Sequence, residues 1–214
     1  MLASVVGRLP MGIAGLAILL YVQGGTGSFA AAGFASALYV IGVAAIAPLI
    51  GRMIDRLGPR PLLLASALIY PIALIAMVML VEAHAQPALI AGAALLAGGM
   101  LPPITICMRT LFPRMLEDSS LLQTAYSIDS ILVESIFVAG PAIIALFVAL
   151  DWRSGAVLFA AACGMAGALL FARSPAIRAW DPVATSAQKS LLGPLLHAPL
   201  RALYLATVFY SIAF

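Results

Sequence analysis

The chain has 214 residues, of which 64% are hydrophobic and 9% charged, with a formal net charge of +3. Soluble domains carry about 25% charged residues, so a soluble fold of this composition would have no surface to offer water, and the mean hydropathy of +1.14 reads as a polytopic membrane protein. The basic residues are scattered along the chain, which excludes a nucleic-acid footprint and fits membrane topology instead.

A spanning helix needs about 20 mostly apolar residues, and six such runs follow one another. The first covers roughly Val5 to Val22 and ends at the polar segment Gln23 to Ser28; it reads as a transmembrane helix and not as a secretory signal. The second covers Phe29 to Ile50. A turn then carries three arginines, one aspartate and two glycines in ten positions, Gly51 to Arg60. Such a turn between two spans sits at the water interface and fixes how the chain threads the bilayer.

The third run covers Pro61 to Val81 and the fourth Ala88 to Met108. Pro102 and Pro103 interrupt the fourth. Each proline removes a backbone donor and clashes with the preceding turn, so the pair predicts a kinked or opened helix, and broken helices line cavities in transporters. The fifth run covers Thr124 to Leu150 and the sixth Ser154 to Ala172. Cys107 and Cys163 lie inside apolar runs and read as packing residues, with no disulfide, metal site or cofactor implied.

The expected architecture is all-α: a polytopic bundle of six full spans over residues 1–172, a cytoplasmic linker over 173–198 and a seventh span beginning at 199. That last run holds 16 residues, 199–214, short of a crossing. The expectation is a fragment of a longer protein.

Placing the N-terminus in the cytoplasm puts Arg8, Arg52, Arg56, Arg60, Arg109, Arg114, Arg173, Arg178, Lys189 and Arg201 inside and only Arg153 outside. This is the positive-inside asymmetry of a multi-pass protein of the inner, or plasma, membrane. Arg8, Tyr21, Gln23 and Tyr39 read first as interface anchors or packing residues and second as cavity liners.

The fifth span carries two carboxylates, Asp129 and Glu134. A charge at the bilayer centre costs about 2.5–3.5 kcal/mol on insertion scales, so such groups face a cavity, a partner or a proton path. Five helical positions separate them by roughly 140°, and they need not share a face. Ser130 and Glu134 do share one. A desolvated carboxyl favours its neutral form, as a proton carrier requires. Glu134 is the candidate for proton coupling or for a cationic substrate group, with Asp129 as a gating or relay group.

The Gly51–Arg60 turn resembles the loop between the second and third spans of the major facilitator superfamily, G-x-x-x-D-R/K-x-G-R/K-R/K. Gly51, Asp55, Arg56, Gly58 and Arg60 match it, and Pro59 departs from it. Gly140 and Pro141 match part of the glycine-rich pattern of proton-driven exporters, while Ile136, Ile144 and Ala145 depart from it. No arginine stands one turn before Gly98-Gly99. The resemblance implies an N-terminal six-helix half, with the C-terminal half missing. It also implies that Asp55 latches onto a helix N-terminus of that second half, where the helix dipole attracts a carboxylate, with Arg56 and Arg60 pairing with acidic groups or lipid headgroups. The implied activity is secondary active transport of a small solute by alternating access, coupled to protons, export being one direction it admits. Rival readings are an inactive or partial half-transporter and, remotely, an intramembrane enzyme. The latter lacks a constellation: His84 and His197 lie far in topology from the carboxylates, and no nucleotide, G-x-S-x-G or H-E-x-x-H motif occurs. Accessibility reporters at His84 and Thr185 should label from opposite sides of the membrane; labelling from one side would refute this topology.

Overall fold

In a bilayer every backbone N–H and C=O must be satisfied without water, so each apolar run folds as a helix. The computed structural model describes residues 2–180. It contains α1 (Leu2–Thr26), α2 (Phe29–Leu57), α3 (Pro59–Glu82), α4 (Pro87–Gly99), α5 (Ile104–Met115), α6 (Ser119–Ala149), α7 (Gly155–Ala172) and the single turn α8 (Pro175–Arg178). There is no strand among the described residues. Six stretches are long and apolar enough to cross a membrane, with α4 and α5 together forming the fourth. Residues 181–198 of the expected linker and the seventh run, 199–214, lie outside the described residues.

Local chemistry sets the helix ends. Ser28 caps α2 by accepting the Ala31 N–H at 3.2 Å. Asp118 caps α6 by accepting the Ser120 N–H at 2.8 Å and the Ser120 hydroxyl at 2.8 Å. The Ser120 N–H, and after it the hydroxyl, hold the Asp118 carboxyl below its ordinary range. Pro59 and Pro87 open α3 and α4, where a missing N–H costs nothing.

One connection differs from the sequence reading and another follows it. The second span does not stop at Ile50: α2 continues helically to Leu57, and the charged turn is its last two turns, one linking residue and the first two residues of α3. The linking residue, Gly58, has φ +79°, a conformation that glycine adopts without penalty. Its N–H donates to the Ile54 carbonyl at 2.9 Å. In the fourth span the prolines do open the helix. Met100 N–H bonds back to Leu96 at 3.0 Å, Pro102 and Pro103 lie outside any helix, and the Cys107 N–H resumes the ladder on the Pro103 carbonyl at 3.1 Å. Pro141, by contrast, lies inside an unbroken α6.

The helices pack in a pattern that repeats. α1 lies against α6 and α7, while α4 lies against α2 and α3, and α3 meets α7. Exchanging spans one, two and three for four, five and six maps the first four of these contacts onto one another and the α3–α7 contact onto itself, as in a pair of three-helix repeats. The burial follows the same symmetry. In the second and fifth spans only 17% of the apolar core residues are buried, against 50–61% in the other four. Equivalent close approaches join the pairs. A Cβ on Gly140 of α6 would collide with the Gly12 carbonyl of α1, and one on Gly98 of α4 with the Tyr39 carbonyl of α2. Small residues let membrane helices meet backbone to backbone, where dispersion is the main attraction.

Gly98→Leu and Gly140→Leu should each cost at least about 1–3 kcal/mol by overpacking. Gly33→Ala and Gly92→Ala, where nothing lies within 4 Å, should be neutral or slightly stabilising. Thermal unfolding of the four variants in detergent measures the contrast.

Candidate functional site

Two charged side chains are buried where α1 meets α6. Arg8 and Asp129 are each 2% exposed, and Arg8 Nη1 donates to Asp129 Oδ1. Arg109 of α5 approaches the other carboxylate oxygen, with Nε 3.4 Å from Asp129 Oδ2, and remains 53% exposed. One carboxylate thus serves two guanidinium groups from two other helices. Removing an ion from water costs several kcal/mol, which a partner repays only when the geometry is good. Arg8 is the more demanding member, because its Nε and Nη2 are buried and find no acceptor among the described residues. A buried donor left unpaired costs about 1–3 kcal/mol, and more when charged.

The cluster ties the broken fourth span to α6. Besides the Arg109–Asp129 contact, the Tyr126 hydroxyl donates to the Arg109 carbonyl at 3.2 Å. The Phe112 and Tyr126 rings meet edge to face with centroids 5.5 Å apart. Below this, a second apolar cluster joins Ile54 of α2, Leu63 of α3, Ile104 and Cys107 of α5, Phe171 of α7 and Ile177 of α8. The arginines of these helix ends therefore share one end of the bundle. There the Arg114 guanidinium lies 3.8 Å from the centre of the Trp180 ring. A cavity of about 230 Å³ opens beside the charged cluster, bordered by Ser4 and Asp129 and walled by apolar side chains of α5 and α6.

The two carboxylates of α6 have different surroundings. Asp129 shares the buried face with Ile136 and Gly140, against α1. Glu134 is exposed on the far side. Gln123, Ser127 and Ser130 are exposed at successive turns before it, and with Ser119 and Tyr126 the first two of these and Ser130 line a shallow groove. An apolar span with a polar stripe of this length presents that stripe to water or to protein, not to lipid.

The charged turn forms a third, separate place. Ile54, Gly58 and Pro59 are buried and anchor it, while Asp55, Arg56 and Arg60 are exposed and Gly51 is half-buried. A side chain at Gly58 would face the Trp180 ring at 3.6 Å. The structure therefore does not bring the candidate residues into one constellation. Pro102 and Pro103 mark the hinge above Arg109, and Gly140 with Pro141 lies on α6 where it crosses α1.

Arg8 sharpens the sequence reading. Of its alternatives it takes the packing role and not the interface one, as the buried partner of Asp129. Arg109, counted among the inward-facing basic residues, is half-exposed and also reaches Asp129. One signal did exist: a single arginine within one apolar run and a single aspartate within another are each costly alone and satisfied together. Sequence does not say which of several arginines provides the match.

Asp129→Asn, by stranding the buried Arg8, should destabilise the protein by roughly 3–5 kcal/mol. Arg109→Gln breaks a half-exposed contact and should cost under about 1 kcal/mol. Denaturant titration in mixed micelles compares the two.

The family model described as Major Facilitator Superfamily matches residues 1–214. Comparison with curated proteins and with solved structures gave no match. The six apolar helices, their paired three-helix packing and a family match over the whole length agree, and the chain belongs to the major facilitator superfamily.

Proposed function

We propose that the chain acts in proton-coupled secondary transport of a small solute, by alternating access, in the plasma membrane with its N-terminus in the cytoplasm. Members of this family carry small molecules, and many are built as two six-helix halves about a central binding site. The six spans here would form the first half, residues 173–198 the linker and 199–214 the start of the second half. The observation that carries the proton reading is Glu134, an exposed carboxylate near the middle of an apolar helix, at the end of a polar stripe. A carboxyl on an apolar span is costly against lipid, so it would face a partner, a water-filled cavity or a proton path.

Asp55 supplies the second element. It is exposed beside the buried Gly58 pivot, so it is available to a helix N-terminus of the second half. That contact would hold one conformation closed through the helix dipole. Arg56 and Arg60 would meet acidic groups or anionic headgroups on the same side. Asp129, tied to Arg8 of α1 and Arg109 of α5, would act as a gating contact, because it links α6 to both of those helices.

In proteoliposomes loaded with a pH-sensitive dye, solute gradients from a panel of small molecules should drive proton movement through the full chain. Glu134→Gln should lower that flux to the leak of protein-free vesicles while leaving the thermal midpoint unchanged. Full coupling in Glu134→Gln would refute the proton role, and no flux with any solute in the unaltered chain would favour an inactive or partial half.

A further inference from the structure

The corner that joins α6 to α7 sets two charges against the helices that carry them. α6 ends in a paired turn, in which the Asp151 N–H donates to the Val148 carbonyl at 3.0 Å and the Trp152 N–H to the Phe147 carbonyl at 3.1 Å. The central residue of such a turn adopts a left-handed backbone and is usually glycine. Here it is Asp151, at φ +50°, one of two non-glycine residues so held among those described. Its carboxylate also stands at a helix C-terminus, whose partial negative charge repels it. Arg153 is misplaced in the opposite sense. It directly precedes Ser154, the N-cap of α7, where the dipole presents positive charge. Neither side chain is ion-paired or hydrogen-bonded among the described residues. A glycine and a neutral residue would serve this corner better, so the stability of the corner accounts for neither charge.

Both charges line one cavity of about 300 Å³, between α1 and this corner, at the end of the bundle away from Arg8 and the Gly51–Arg60 turn. Leu20, Ile144, Phe147 and Val148 give it an apolar wall, and the Trp152 ring meets Phe147 edge to face at 5.5 Å. Gln23 adds an amide, which both donates and accepts. We infer that this cavity binds a small zwitterion with an apolar body, its ammonium at Asp151 and its carboxylate or phosphate at Arg153. A lone cation would be repelled by Arg153 and a lone anion by Asp151, so only a ligand of both signs gains from both. The volume stands at the small end of the roughly 300–1,000 Å³ of ligand pockets, which fits one amino acid or one lipid headgroup and excludes a peptide. Both sources present an ammonium and an anion a few bonds apart. On the topology proposed above this is the outer face, and Arg153 is the only arginine or lysine placed there. Glu134 takes no part in this site.

Leucine, isopentylamine and 4-methylpentanoate share one hydrocarbon and carry both charges, the cation alone and the anion alone. Glycerophosphoethanolamine is a lipid headgroup freed of its chains. Each is titrated at neutral pH against the full chain in maltoside detergent, with the thermal midpoint as readout, since a ligand of the folded state raises it with occupancy. Leucine or glycerophosphoethanolamine should give a saturable rise, and the amine and the acid none at equal concentration. The tighter of the two zwitterions identifies the source, free amino acid or lipid. Asp151→Gly and Arg153→Gln each remove a charge-assisted hydrogen bond and should weaken that zwitterion roughly tenfold or more. Each should also raise the midpoint of the ligand-free protein, by relieving the backbone at 151 or the opposed dipole. Stability gained together with binding lost is a result that a purely structural corner would not give. No rise with either zwitterion, an equal rise with the amine or the acid, unchanged affinity in both variants, or a lower ligand-free midpoint in both overturns the inference. The readout needs no transport, so failure here leaves the Glu134 reading standing, and failure of coupling in vesicles leaves this site standing.

Discussion

Holding a guanidinium and a carboxylate between apolar helices is costly unless each satisfies the other, and α1 and α6 are arranged around that requirement. Arg8 and Asp129 can meet at only one axial offset of the two helices. The glycine contact further along, Gly12 against Ile136 and Gly140, fits that same offset. Charge pairing and backbone proximity thus specify one register. This matters in a bundle whose helices are otherwise lined with interchangeable alanines, leucines and isoleucines, since lipid offers those side chains as good a surrounding as protein does.

The rest of the bundle extends this logic by repetition. The α4–α2 contact repeats the α1–α6 contact with glycine again at the crossing, and the two outer helices of these pairs are the least buried. The two crossings are not chemically equal. The α1–α6 crossing carries an ion pair, and the α2–α4 crossing sets Tyr39 and Gly42 of α2 against Gly98 and Gly99 of α4. The charged crossing also lies beside the broken fourth span, so the costliest interaction in the bundle is adjacent to its weakest helical continuity.

Much of this was legible in the sequence. Six apolar runs give six spans, because twenty-residue hydrophobicity is a strong signal that needs no tertiary context. Pro102-Pro103 announces the break, because two adjacent residues without an N–H cannot sustain a helical ladder. The separation of Asp129 and Glu134 onto different faces follows from helical geometry alone. The helical extent of the Gly51–Leu57 segment was not legible, because its charges look like a loop while its backbone keeps the helical ladder up to Gly58. Nor was the pairing of Arg8 with Asp129, since ten other basic residues compete for the role and only the packing of α1 on α6 selects one. The three places picked out by residue type remain three places: pattern identifies reactive groups, but their grouping depends on which helix faces which.

Gly58 has a mechanical meaning beyond its φ angle. A connection of ordinary length has slack, so that the helices it joins can shift independently by several ångströms. Here one residue separates the 29-residue α2 from the 24-residue α3, and neighbouring Cα atoms are held about 3.8 Å apart. The lower ends of these two helices therefore share a pivot: they can change their mutual angle, but neither can slide along its axis without drawing the other with it. An axial shift of α2 is passed on to α3 through a joint that bends and does not stretch.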